Sequence, residues 1–147
     1  ENILSIIKKY DVNPEELELE ITESVLIENF KEITEKMCIL RDYGIRISLD
    51  DFGTGYSSLS YLKGLPIDTL KVDKSFIDTS ITDENTRIIT ESIIFMAKRL
   101  GFETVAEGVE TEEQFEYLNK IGCDCIQGYL LGKPMSKEDI EQLLSQV

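Results

Sequence analysis

The run Ile45-Arg46-Ile47-Ser48-Leu49-Asp50-Asp51 decides the predicted fold, because its apolar and polar side chains alternate and it ends in two carboxylates. Alternation with a period of two is typical of a β-strand. Four other short runs include a side chain able to bind a metal ion or to move a proton: Leu17–Glu23, Thr69–Asp73, Thr104–Gly108 and Cys125–Gln127. Helical patterns separate these runs, which predicts parallel strands in a β/α fold.

The length of the chain limits how much of such a fold it can form. A closed eight-stranded β/α barrel typically needs about 250 residues, and this chain has 147. We therefore expect an α/β fold in which residues 1–147 form a single truncated domain, a partial TIM-type barrel with five parallel strands. Helices are expected at 2–10, 28–43, 84–100 and 112–121, with short ones near Ser57 and after Ser136.

Composition excludes several classes of partner. The formal net charge is −14 and no basic stripe is present, which argues against a DNA or RNA polymer as ligand. The three cysteines and the lack of histidine favour free, buried thiols in a reducing cytoplasm over a zinc site. No leader or bilayer-spanning run is found, so we expect a cytoplasmic domain, with any membrane anchor in a longer parent protein.

Residues with possible chemical roles are placed at the expected carboxyl ends of the strands, where β/α folds carry their active sites. An isolated acid there is commonly solvated or caps a helix, but several together suggest a divalent-metal site. The adjacent pair Asp50-Asp51 suits two metal ions, because neighbouring side chains diverge, so that each carboxylate can reach a different ion or bridge a shared one. The whole set is Glu20, Asp50, Asp51, Lys71, Glu107 and Gln127.

Strand parity predicts a charge pair below this set. The aliphatic residues of each strand should face the helices, so the polar residues face the barrel interior. Glu18 and Arg46 then lie one layer below the site on neighbouring strands. Because an unpaired interior charge is costly, we expect these two side chains to form an ion pair.

The ten-residue run Asp50-Asp51-Phe52-Gly53-Thr54-Gly55-Tyr56-Ser57-Ser58-Leu59 resembles the loop signature of EAL domains. These domains are phosphodiesterases that open cyclic di-GMP to linear pGpG. The resemblance continues in order at residues 20–23, 70–73, 106–110 and 127–129. On these motifs the chain is similar to the carboxyl-terminal two-thirds of an EAL domain.

The resemblance implies roles for individual residues. Lys71 would engage the catalytic water, supported by Gln127, and Glu23 would anchor the loop that links the metal site to a dimer interface. The implied ions are Mg²⁺ or Mn²⁺, two in the complete domain, with Ca²⁺ inhibiting. The implied metal ligands are Glu20, Asp50, Asp51, Asp73 and Glu107, the last also catalytic; the implied loop or substrate-binding residues are Glu23, Phe52, Gly53, Thr54, Gly55 and Glu110.

Two motifs of the family have no counterpart in this sequence. They are the Glu-Ala-Leu strand with its nearby arginine and the Asn-x-Ser strand, which together add metal and substrate ligands. We therefore expect the isolated chain to be inactive and to self-associate, as a homodimer or otherwise, since an open barrel exposes strand edges. The parent protein is expected to carry GGDEF or sensor modules.

Two alternatives from other functional classes remain open at this point. In the first alternative, the domain binds cyclic di-GMP or a protein partner but does not hydrolyse the nucleotide. Alternatively, acids and a lysine at strand ends would also suit an enolase-type enzyme that abstracts a proton with Lys71 as base.

Overall fold

The structure, a computed structural model, describes residues 3–53 and 62–145. Its centre is one sheet in which each strand pairs in parallel with the next, in the order β1-β2-β3-β4-β5. This confirms the predicted α/β fold with five parallel strands. The strands are β1 (Glu18–Thr22), β2 (Arg46–Phe52), β3 (Thr69–Val72), β4 (Glu103–Glu107) and β5 (Cys125–Gln127).

Helices fill the connections between the strands, and the longer ones carry clear end signals. The seventeen-residue helix before β4 begins after Asp83, whose carboxylate accepts the Thr86 N–H, and ends at Gly101 in the left-handed conformation. The helices are α1 (Ile3–Tyr10), α2 (Glu23–Glu28), α3 (Phe30–Asp42), α4 (Lys74–Ser80), α5 (Glu84–Leu100), α6 (Glu112–Ile121) and α7 (Lys137–Leu144), with a 3₁₀ turn at Pro14–Glu16.

Several boundaries differ from the prediction. The helix expected at 28–43 starts at Phe30, and α2 and α4 were not predicted, because helices of six and seven residues are too short to show a helical period. β3 stops at Val72, because Asp73 caps α4 by accepting the Ser75 N–H at 3.0 Å. The helix predicted near Ser57 lies mostly outside the described residues.

The aliphatic face of the sheet packs against the helices, as strand parity predicted. Ile47 and Leu70 are fully buried in the core cluster, and Leu118 of α6 meets the sheet from the helical layer. Burying one such side chain stabilises the fold by about 1.5–3 kcal/mol. The core thus fixes which strand residues point to the opposite, polar face.

Low on that polar face, the expected ion pair between Glu18 and Arg46 is confirmed. Arg46 Nε donates to Glu18 Oε2 at 3.2 Å, and its Nη2 contacts Glu103 and donates to Thr69 Oγ1. Arg46 therefore joins strands β1, β3 and β4 at the amino end of the sheet.

The cysteines are free, as predicted, but the expectation that all are buried is wrong. Cys38 and Cys125 are exposed, and only Cys123 is partly covered. Cys38 lies on the outer side of the amphipathic α3 and Cys125 on the polar face of the short β5, so neither position faces the core. Among the described residues, no helix is long and apolar enough to cross a bilayer.

Candidate metal centre

A buried lysine lies at the centre of the site. Lys71 of β3 is only 5% exposed, and its Nζ lies 2.6 Å from Glu107 Oε1 and 2.7 Å from Glu20 Oε1. Asp50 Oδ1 of β2 is 3.4 Å away. Parallel pairing therefore brings together side chains from four neighbouring strands, as the strand-end pattern predicted.

The surroundings of Lys71 keep it positively charged. Burial alone lowers the pKa of Lys71, but hydrogen bonds with Glu107 and Glu20 outweigh it and raise that pKa above its ordinary value. An ammonium group held in this way cannot abstract a proton. The geometry thus argues against the alternative in which Lys71 is the base of an enolase-type enzyme.

Carboxylates outnumber cations in this part of the sheet. Burial raises the pKa of Glu107, the hydrogen bond with Lys71 opposes the rise, and the charges of Asp50 and Glu20 add to it. Burial also raises the pKa of Asp51, and Asp50 and Asp73 increase it further by repulsion. The site therefore carries a local excess of negative charge that a bound cation would relieve.

Asp50 and Asp51 converge instead of diverging, an arrangement that fits the expected option of bridging a shared ion better than that of reaching different ions. The pairing of β2 with β3 is irregular between Leu49 and Phe52, and Asp51 has a φ of 56° in the left-handed region. Aspartate adopts this conformation more readily than most residues because its short side chain can hydrogen-bond locally. Carboxylate oxygens of Asp50, Asp51 and Glu107 consequently lie within 4.8 Å of one another.

The donor set of these three residues fits a hard divalent cation. Mg²⁺, Mn²⁺ and Ca²⁺ prefer oxygen ligands such as carboxylates, and three carboxylate groups converge here. Glu20, also a predicted ligand, lies outside this triad and hydrogen-bonds to Lys71 instead. Asp73, the remaining predicted ligand, uses its carboxylate to cap α4.

The loop after β2 is fixed at its start by Glu23. This side chain is 4% exposed, and its Oε2 accepts the Gly53 N–H at 3.0 Å. Gly53 has a φ of 97°, and a Cβ there would lie 2.7 Å from a ring carbon of Phe76. Phe52 is buried in the core. Thr54 and Gly55, predicted to belong to the same loop, lie outside the described residues.

Gln127 lies opposite Glu107 in the pairing of β4 with β5. Its side chain is exposed at the carboxyl edge of the sheet. The next residue, Gly128, is a feature that the sequence reasoning missed: a Cβ there would lie 2.1 Å from the Val109 carbonyl oxygen. Only glycine permits this approach, which lets the Val109 N–H donate to the Gln127 carbonyl at 3.0 Å.

Glu110, predicted among the loop or substrate-binding residues, pairs with a partner that the sequence reasoning did not select. Its Oε1 contacts the ammonium of Lys74, and both side chains are nearly half exposed. Lys74 directly follows Asp73. Its position next to an acid at the end of a strand could have identified it in the sequence as a residue near the site.

Comparison with known proteins identifies the family. The family model described as the EAL domain matches residues 1–134. The chain belongs to the EAL domain family, and the resemblance found in the sequence is confirmed.

Two relatives place the chain within the family. The oxygen sensor protein DosP of Escherichia coli is 44% identical over 94% of this chain, which covers 17% of DosP. The bifunctional diguanylate cyclase/cyclic di-GMP phosphodiesterase MucR of Pseudomonas aeruginosa is 41% identical over the whole chain, which covers 21% of MucR. The chain thus spans about a fifth of the length of these curated relatives.

Solved structures agree with this placement. The MucR phosphodiesterase in complex with c-di-GMP superposes with a TM-score of 0.89 at 40% identity, covering 94% of this chain and 56% of that one. Klebsiella pneumoniae BlrP1 in a manganese and c-di-GMP complex gives a TM-score of 0.80 at 31% identity, covering 87% of this chain and 33% of BlrP1.

Proposed function

We propose that this chain supplies strands of the catalytic site in a phosphodiesterase that hydrolyses cyclic di-GMP to linear pGpG. The observation that carries the proposal is the buried Lys71 ammonium held by Glu20 and Glu107 beside convergent carboxylates, in a chain of the EAL family. The c-di-GMP complex of the MucR phosphodiesterase, 40% identical to this chain, supports the choice of substrate.

The cofactor that we propose is Mg²⁺ or Mn²⁺, with two ions in the complete site. Asp50, Asp51 and Glu107 would hold the ions together with Glu20, and Asp73 would lie close to the second ion, which Asp51 would serve. Bound divalent ions supply Lewis-acid polarisation of the phosphodiester and lower the pKa of a coordinated water. The manganese complex of BlrP1 supports this choice of metal.

The chain's own residues would orient the reactants and stabilise charge. Water adds its oxygen to phosphorus, the bond from phosphorus to O3′ breaks, and a proton reaches the departing O3′. Glu107, whose Oε1 lies 2.6 Å from Lys71 Nζ, would act together with that ammonium in placing the attacking water. The Lys71 ammonium orients that water and stabilises negative charge on the phosphorane-like transition state. Gln127 would hold a water or a substrate oxygen without adding charge.

Assembly and context are part of the same proposal. The contact between Glu23 and the loop at Gly53 would couple the metal site to a homodimer interface or another self-association surface. The names of MucR and DosP suggest a longer protein with GGDEF or sensor modules. Free thiols and a nucleotide second messenger suggest that the domain works in the cytoplasm.

The test is hydrolysis of cyclic di-GMP by the natural protein that contains this chain. We expect linear pGpG with Mn²⁺ and none after chelation, and loss of the product in Glu107→Gln. Lys98→Gln is the matched control, since Lys98 contacts Asp124 just before β5, at the end of the sheet opposite the metal centre. Tight binding without turnover in Mn²⁺ would instead support the non-catalytic binding alternative.

A further inference from the structure

A buried amide, the side chain of Gln114, lies behind the loop that follows β4. Gln114 is 7% exposed, and its Oε1 accepts the Glu110 N–H at 2.8 Å and the Thr111 N–H at 3.0 Å. These two donors fix the orientation of the amide, because a flipped amide would place its own N–H groups against them. The Nε2 of Gln114 is therefore directed to α4, where it lies 3.5 Å from the Ile77 carbonyl oxygen.

An ordinary helix cap accounts for only part of this arrangement. The Gln114 N–H donates to Thr111 Oγ1 at 3.2 Å, and the Thr111 N–H donates back to the Gln114 side chain, which makes a capping box at the start of α6. The contacts with Glu110 and Ile77 lie outside that motif. Gln114 thus connects three segments: α6, the loop after β4, and α4.

The loop that Gln114 contacts is short and is fixed on its other side as well. Two residues separate Glu107, at the end of β4, from Glu110. Val109 between them is fully buried, its N–H donates to the Gln127 carbonyl at 3.0 Å, and its carbonyl accepts the Leu130 N–H at 3.0 Å. Backbone hydrogen bonds therefore hold the loop on the side of β5, and Gln114 holds it on the side of α6.

The other helix that Gln114 contacts also begins at the metal centre. Asp73, which we propose to lie close to the second ion, caps the amino end of α4. Ile77, in the same helix, is fully buried and offers its carbonyl oxygen to the Gln114 amide. One side chain therefore joins the segment after Glu107 to the helix that starts at Asp73.

We propose that Gln114 is a positioning residue of the metal centre, an inference that rests on the proposed function. It fixes the loop after β4 against α4 and so holds Glu107 in place relative to Asp73. Side chains that orient metal ligands without touching the ion commonly contribute about 10–100-fold to metal affinity or activity. An apolar side chain at position 114 would leave two loop N–H groups without their acceptor, so the loop would shift to satisfy them.

Calorimetric titration of Mn²⁺ into the natural protein that contains this chain tests the proposal, with melting of the metal-free protein measured alongside. Gln114→Leu should weaken Mn²⁺ binding by about 10–100-fold. Gln114→Glu keeps an oxygen acceptor for both loop N–H groups and should recover most of the lost affinity. Thr111→Ala is the matched control, because it breaks the same capping box but leaves the side-chain contacts of Gln114 in place. It should lower the melting temperature and leave Mn²⁺ affinity unchanged.

The same measurements contain the results that would overturn the proposal. Unchanged Mn²⁺ affinity in Gln114→Leu, or equal weakening in Thr111→Ala, would show that Gln114 acts only through the stability of α6. A Gln114→Glu protein that melts normally but binds Mn²⁺ as weakly as Gln114→Leu would also overturn it. Each of these results leaves the proposed function intact. Failure of the unaltered protein to bind Mn²⁺ and to hydrolyse cyclic di-GMP would overturn both.

Discussion

The polar face of the sheet carries two charge clusters that differ in balance. At the amino end, Arg46 contacts Glu18, Glu103 and the Thr69 hydroxyl, so a single cation joins two carboxylates. At the carboxyl end, the ammonium of Lys71 contacts three carboxylates, and Asp51 adds another beside them. Both clusters lie on the same strands, only a few residues apart.

The difference in balance separates a structural cluster from a functional one. The amino-end cluster has one carboxylate more than its cation neutralises, and Arg46 contacts both carboxylates directly, as expected for side chains that hold strands together. The carboxyl-end cluster keeps a larger excess of negative charge, because Glu20 and the triad of Asp50, Asp51 and Glu107 surround the single ammonium of Lys71. Crowded carboxylates repel one another, so this arrangement lowers the stability of the folded protein unless a cation binds between them.

The largest effect is expected from removing the cation of the carboxyl-end cluster. Lys71→Met should lower hydrolysis of cyclic di-GMP by about 10²–10⁴-fold, because the ammonium that orients water and stabilises the transition state is lost. Hydrolysis is measured as pGpG formed per enzyme at saturating Mn²⁺. Retention of activity within about tenfold would show that Lys71 has only a structural role.

A second prediction concerns the ligands of the same cluster. Asp51→Asn should weaken Mn²⁺ binding by roughly tenfold or more, because it removes one of three convergent carboxylates. Binding is measured by calorimetric titration. Glu18→Gln is the matched control at the amino end and should leave Mn²⁺ affinity unchanged. Equal weakening in both variants would remove the functional distinction between the clusters.

A third prediction removes the cation of the amino-end cluster and measures stability. Arg46→Met should lower the free energy of unfolding by about 1–2 kcal/mol, a modest loss because the side chains are between a third and a half exposed. The loss is measured by urea denaturation, and Mn²⁺ affinity should not change. A change in Mn²⁺ affinity with no loss of stability would contradict the account.

The smallest effect concerns Asp124, which accepts the Thr104 N–H at 3.0 Å and lies 3.0 Å from Lys98 Nζ. Burial alone raises the pKa of Asp124, but hydrogen bonds from Thr104 and Lys98 lower it overall. The folded pKa is therefore below the unfolded value of about 3.9. The stability it contributes is present above that value and is lost as the pH falls through the folded pKa.

Thermal unfolding of Asp124→Asn against the unaltered protein measures this contribution. The variant should be less stable by about 0.5–1 kcal/mol at pH 7, and the difference should shrink below about pH 4. A difference that grows with acidification would have the wrong sign for a carboxylate stabilised in its charged form.

The sequence was sufficient to predict the sheet and the residues that gather at its carboxyl edge. Strict alternation in β2 identified the polar face, and from it the contact between Glu18 and Arg46. Parallel order then placed Glu20, Asp50, Lys71 and Glu107 together without knowledge of the loops. These predictions succeeded because they depend on strand periodicity, which is visible in the residues themselves.

Other features could not be predicted because no local pattern encodes them. The convergence of Asp50 and Asp51 depends on a positive φ at a non-glycine residue and on an irregular strand pairing. The need for glycine at position 128 depends on the approach of the Val109 backbone, which is distant in sequence. The ion pair of Lys74 with Glu110 joins two loops and is a tertiary contact.

The most direct test of the account is anomalous diffraction from crystals of the natural protein grown with Mn²⁺. We predict a manganese peak bounded by the carboxylates of Asp50, Asp51 and Glu107, with Lys71 still in contact with Glu20. The absence of a peak at this triad, with manganese bound elsewhere or not at all, would contradict the claim that the excess negative charge forms a metal centre.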